Sequence, residues 1–154
     1  MEHHVRTARL TDVDAAMRVL LQDAAPDEEV WRDGSERLRS LLSIPPATVV
    51  VAEEERRVIG LGVLSIRPSL RSGPFVGMID ELATTMTASG AAGATESRRR
   101  RAILSSMLEH LVASAHNKGC MRVEVADPLA SAEPSLLKQA GFAKRGALLS
   151  RAIV

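Results

Sequence analysis

The sequence predicts an α/β (α+β) domain on three observations. Short β-branched and alternating segments separated by turns occupy residues 48–86, and a broad helical period covers residues 97–118. That helix lies between two strand-like segments, the order of a right-handed crossover between parallel strands. With a first strand and two helices ahead of them, and a short helix and a last strand behind, these segments imply a mixed central sheet of six to seven strands with about four helices. A chain of 154 residues is long enough to bury one substantial core and too short for two, so a single domain over 1–154 is expected.

Residues 5–10 alternate as a first strand, and Thr11 with Asp14 three positions on suits the start of a helix ending near Asp23. Val13, Ala16, Met17 and Leu20 fall on one face of it. Ala25, Pro26 and Asp27 break that helix, and Asp27 caps a second one reaching about Leu42, which Gly34 is expected to interrupt. Pro45 and Pro46 end the helical region. Residues 48–52 and 58–67 then read as a hairpin around a charged turn, and residues 76–86 as a further strand completing an antiparallel meander. In that strand, strict alternation puts Ile79, Glu81 and Ala83 on one face and Asp80, Leu82 and Thr84 on the other. Residues 87–95 are small and polar and read as a loop. The long helix carries Ile103, Leu104, Met107, Leu108, Leu111, Val112 and Ala115 on its apolar face. Residues 122–126 form the strand parallel to the end of the meander, residues 133–140 a short helix closed by Gly141, and residues 147–154 a last strand.

Composition excludes several classes of function. An apolar fraction of 45% without a run of about 18 apolar residues argues against membrane insertion. Residues 1–6 are polar and unlike a signal peptide, so the cytoplasm is the expected compartment. The single cysteine, Cys120, reads as a small buried residue, and the spacing of His110 and His116 implies no metal site. A net charge of +1 with only Trp31, Phe75 and Phe142 as aromatics disfavours nucleic acid as a partner. Asp27, Glu28 and Glu29 suit a cationic substrate and a helix start equally.

The cluster Arg98, Arg99, Arg100, Arg101 opens the long helix. Cations at a helix N-terminus oppose the macrodipole by about 0.3–1 kcal/mol each, and a bound phosphate would reverse that sign. The alternative is a solvated basic run beside Glu96.

The order of elements, residues 5–8 leading to Thr11-Asp12, residues 79–84, and Lys138-Gln139-Ala140-Gly141-Phe142 together resemble the GNAT acyltransferase superfamily over nearly the whole chain. The resemblance implies coenzyme A binding, with acetyl-coenzyme A as acyl donor, a primary amine as acceptor and no metal. It aligns Leu82, Ala83 and Thr84 with the strand that holds the pantetheine arm. It aligns Arg99, Arg100, Arg101, Ala102, Ile103 and Leu104 with the pyrophosphate motif, in which Ala102 and Leu104 stand where the family has glycines. Glu81 is the candidate general base and Asp80 its reserve, a half-buried carboxylate having a raised pKa suited to that role. A structural pair with an arginine is the other reading of Glu81. Leu137 stands where a tyrosine acid is common and Ala130 where asparagine is common. Ser131 and Ser135 either orient a water or cap a helix. The expected function is N-acetyl transfer, the alternative a catalytically weakened module that binds acyl-coenzyme A or a protein partner. A homodimer is compatible with the last strand or a sheet edge.

Overall fold

The computed structural model describes residues 2–22, 27–71, 73–85 and 93–153. The first strand is β1 (His4–Thr7), after which a 3-10 turn at Leu10–Asp12 runs into α1 (Val13–Leu20). The start of that turn is fixed by Asp12, whose carboxylate accepts from the Arg9 N–H at 2.7 Å, and not by Thr11. The expected break at residues 25 and 26 lies outside the described residues, as does most of the 87–95 loop.

Helix α2 (Glu28–Ser43) opens as its sequence requires, with the Val30 N–H donating to Asp27 Oδ1 at 2.8 Å. Gly34 does not interrupt it. A Cβ at this position would lie 2.5 Å from Met17 Cε, so glycine here lets α2 approach α1, and that packing outweighs its poor helix propensity.

The meander is β2 (Ala47–Glu54), β3 (Arg57–Pro68) and β4 (Phe75–Thr84). Its first turn narrows to Glu55 and Arg56, both left-handed at φ 50° and 64°, as a two-residue hairpin of right-handed twist demands. After α3 (Ala94–Asn117), β5 (Cys120–Val125) pairs in parallel with β4, and α4 (Leu129–Ala132) and α5 (Pro134–Gln139) follow. Gly141, at φ 93°, closes α5, and the Phe142 N–H returns to the Leu137 carbonyl at 2.9 Å.

Among the described residues the sheet has five strands in the order β1-β2-β3-β4-β5, not six to seven, and five α-helices flank it rather than about four. The missing strand is the last one. Residues 143–153 form no element and are exposed, with Leu148, Leu149 and Ile153 at 68%, 92% and 91%. Apolar alternation says that a segment suits a strand; it does not supply the neighbour that pairs with it. The extra helix is α4, which forms in the segment after Pro128 that the sequence suggests as a loop, while α5 is the short helix expected at 133–140.

Both faces of the sheet are covered, which is why residues 49–52 of β2 are apolar and buried without interruption. Val49, Val51, Leu61 and Val63 pack under α1 and α2 with Val13, Met17 and Leu38. Val50, Ala52, Leu64, Ile79 and Leu82 pack under α3 with Ile103, Leu104, Met107 and Leu111. Gly60 and Gly62 lie beneath α3, where a Cβ would come within 2.8 Å of Met107 Cε and 3.0 Å of Leu111 Cδ1. No helix of the described residues is long and apolar enough to cross a membrane.

Candidate active site

The site is organised by how β4 ends. Its parallel pairing with β5 stops at Ile79 opposite Val125, while β4 itself continues to Thr84. A register shift against β3 leaves Asp80 as an extra residue between Ile79 and Glu81. The bulge corrects the strict alternation expected of this strand. Ile79 joins Leu82 in the core under α3, and Glu81, opposite Val63, turns with Ala83 towards α1 and α2.

The Thr85 N–H donates to the Ile59 carbonyl at 2.9 Å. The alternation of an antiparallel ladder therefore directs the backbone groups of Glu81 and Ala83 at β3 and those of Leu82 and Thr84 away from it. Beyond Ile79 that outer side has no paired strand among the described residues. The Thr84 carbonyl accepts from Gln22 Nε2 at 2.6 Å, whereas the Leu82 N–H and C=O point into the opening. An open strand edge of this kind can take an extended amide-bearing ligand as a further strand would be taken.

Glu81 is half-buried and has no hydrogen bond or ion pair among the described residues. Burial, then the neighbouring Asp80 carboxylate, pushes its pKa above the ordinary value. Asp80 is exposed and accepts a hydrogen bond from the Ser65 hydroxyl. The two carboxylates thus differ in surroundings, Glu81 half-buried and without a partner among the described residues, Asp80 exposed and hydrogen-bonded.

The arginine cluster sits deeper in α3 than its sequence implies. The helix begins at Ala94 with Gly93 as N-cap, so residues 94–97 form the first turn and the four arginines follow it. Arg99 Nη2 pairs with Glu54 Oε1, Arg100 Nη2 with Glu133 Oε1, and Arg101 with Gln139 Oε1 and, at 3.2 Å, the Ser135 hydroxyl. The basic run is therefore held largely by partners on β2 and around α5. Ala102 is exposed on the far side, and Ile103 and Leu104 are buried in the core at 0% and 1% exposure, so neither of those two side chains faces a ligand. The N–H groups left for an anion are those at 94–96.

Leu137 is buried under α3, where it packs instead of donating a proton. The Ser131 hydroxyl and N–H both go to Asp127 Oδ1, and Ser135 accepts from Arg101, so both serines have local structural partners. The Cys120 thiol is pushed up by burial and is a poor nucleophile. Glu54, Glu133 and Gln22 also hold partners at the site without being among the residues that the sequence singles out. For Glu54 a signal existed: it continues the Val50, Ala52 alternation and so places an acidic residue on an otherwise inward-facing row.

A model of the acetyltransferase (GNAT) family matches residues 15–142. No curated protein matches the chain. Among solved structures, glucosamine-6-phosphate N-acetyltransferase from Arabidopsis thaliana superposes with a TM-score of 0.74 at 16% identity, covering 100% of both chains. AAC(6')-Iy in complex with the bisubstrate analogue CoA-S-monomethyl-acetylneamine gives 0.72 at 18%, again over 100% of both. A predicted acetyltransferase with acetyl-CoA from Clostridium acetobutylicum gives 0.68 at 20%, covering 98% of this chain and 96% of the other. At these identities the likeness is one of fold.

Proposed function

Because the chain belongs to the acetyltransferase (GNAT) family, we propose that it is an N-acetyltransferase moving an acetyl group from acetyl-coenzyme A to a primary amine of a small molecule or protein. The observation that carries this reading is Glu81, a half-buried carboxylate without a partner among the described residues, adjoining the open edge of β4 at Leu82. An alkylammonium must lose a proton before it attacks, and a carboxylate whose pKa is raised is matched to that task near neutrality. Glu81 takes the proton, the amine nitrogen bonds to the thioester carbonyl carbon and gives up a second proton to solvent, and the carbon–sulfur bond breaks. The departing thiolate is protonated from solvent, since Leu137 offers no acid. The Leu82 N–H and C=O would hold the pantetheine amides, with Thr84 less available while Gln22 occupies its carbonyl. The N–H groups at 94–96, with Arg99, would face the pyrophosphate. Asp80 acts through its charge, which helps keep the Glu81 pKa high.

A second reading, a weakened module that binds acyl-coenzyme A or a partner, is favoured by one specific observation. Arg99, Arg100 and Arg101 are already engaged within the chain. The homodimer reading rests on the exposed Leu148, Leu149 and Ile153 and on β5 being the last strand of the sheet.

Glu81→Gln separates the enzyme from the module. Thiol release should be followed over a panel of primary amines, with coenzyme A affinity measured alongside. The expected outcome is a fall in kcat of about 100-fold or more with coenzyme A affinity unchanged. In the wild type, kcat/KM should rise with pH through a value above the ordinary carboxylate range, since the group must lose its proton to act. Turnover retained by the variant would remove Glu81 from the mechanism. Tight coenzyme A binding without turnover on any amine would establish the module instead.

A further inference from the structure

We propose that Glu54 and Arg99 form a displaceable latch: Glu54 holds Arg99 in the unliganded protein, and a ligand carrying several phosphate charges takes Arg99 from it. This rests on the coenzyme A reading above and names the residue that sets the selectivity of its anion site.

The pair is built unlike a structural ion pair. Glu54 is buried, its side chain 8% exposed, and touches Arg99 through Oε1 alone. Glu54 Oε2 and Arg99 Nε are both buried without a hydrogen-bond partner among the described residues. Two polar atoms left unsatisfied in a low dielectric are a standing cost, which a pair retained for stability alone would remove. Arg99 keeps 34% of its side chain exposed, so the pair lies beside solvent and not wholly inside the core.

Position makes the cost useful. Ala52 pairs with Gly60 and Gly60 with Thr84, so Glu54 lies at the end of the sheet where β4 opens. Arg99 stands on the turn of α3 that follows the N–H groups at 94–96, which have no partner among the described residues. Transfer of Arg99 from carboxylate to phosphate exchanges one charge-assisted hydrogen bond for another. A monoanion therefore gains little over Glu54. A pyrophosphate, with more charge and more acceptor oxygens, gains enough to compensate for a Glu54 left alone. Glu54 thereby discriminates by ligand charge.

The test measures the binding of coenzyme A and of pantetheine, which lacks the phosphates, to the wild type, Glu54→Gln, Arg99→Gln and the double variant. Glutamine keeps the shape of Glu54 and removes its claim on Arg99. Glu54→Gln should bind coenzyme A about fivefold tighter or better, the low end of coupling between sites, and pantetheine unchanged. The gain should vanish when Arg99→Gln is added, and Arg99→Gln alone should weaken coenzyme A selectively. Binding by Glu54→Gln where the wild type has none would support the latch in its strongest form. If the wild type binds and Glu54→Gln is equal or weaker, the latch is overturned and the coenzyme A site survives. If neither binds, the site reading falls and the latch with it. Should Glu54→Gln fold poorly, Arg99→Gln decides alone: an unchanged coenzyme A affinity overturns the latch.

Discussion

Glu53 and Glu54 are adjacent at the end of β2, and the pleat sends them to opposite faces of the sheet and into opposite situations. On the α1 face, Arg6 donates through Nε to Glu53 at 2.6 Å and through both Nη atoms to Asp12 at 2.7 and 2.9 Å. Asp12 also accepts from the Arg9 N–H, so that face ties β1, β2 and the start of α1 together with every guanidinium nitrogen in use. On the α3 face, Arg99 meets Glu54 through one nitrogen and one oxygen, and an atom on each side is buried without a partner among the described residues. The same residue types, one position apart, make a saturated joint on one face and an unsaturated contact on the other. A saturated network resists opening, and an unsaturated one opens at lower cost, which suits a part that must move.

The largest difference should appear on removing each arginine. Arg6→Met leaves Asp12, 9% exposed, without its guanidinium, and should cost about 2 kcal/mol. That is less than the roughly 3–5 kcal/mol of a fully buried pair because Arg6 is itself 19% exposed. Denaturant unfolding measures it. A cost below that of Arg99→Gln would break the comparison.

A smaller effect, with a definite sign, concerns acid. Arg6 holds the Asp12 and Glu53 carboxyls below the usual range, chiefly by its hydrogen bonds to them. The folded protein therefore binds protons at these groups less readily than the unfolded chain. Their stabilisation is present above the unfolded values of about 4 and is lost as pH falls through the lower folded ones. The stability gap between wild type and Arg6→Met should accordingly narrow as pH falls from about 5 through the unfolded carboxylate values and below them. A gap that stays constant would mean that Arg6 acts through packing of its stem rather than through its charge.

How much of this was legible in the sequence follows from the range of each interaction. The meander, the Asp27 cap, the α3 face and the Gly141 closure are local, and periodicity or turn chemistry specifies them. The Asp80 bulge is not. It depends on register against β3, and it moved Ile79 to the other face from Glu81 while leaving Glu81 and Ala83 together. The long-range partners of the arginines, Glu54 at 45 positions from Arg99 and Glu133 at 33 from Arg100, leave no periodic trace. Helix α3 begins three residues before Ser97 because Ala94, Thr95 and Glu96 tolerate helix, and the tertiary packing of the face behind them extends it. Residues 147–153 carry a strand's pattern without a partner.

The smallest effect is the sharpest test of the contrast. Replacing Glu54 and Arg99 together by methionine removes two unsatisfied polar atoms and leaves no buried charge alone. An ion pair exchanged for apolar side chains of similar volume is commonly neutral or stabilising. The double variant should therefore unfold within about 1 kcal/mol of the wild type, on either side of it. The corresponding exchange of Arg6 and Asp12 would also delete the bond to the Arg9 N–H, and it should lose stability outright. Equal losses from the two double variants would mean that Glu54 and Arg99 are as firmly joined as the network across the sheet, and then Arg99 would not be free to leave for a phosphate.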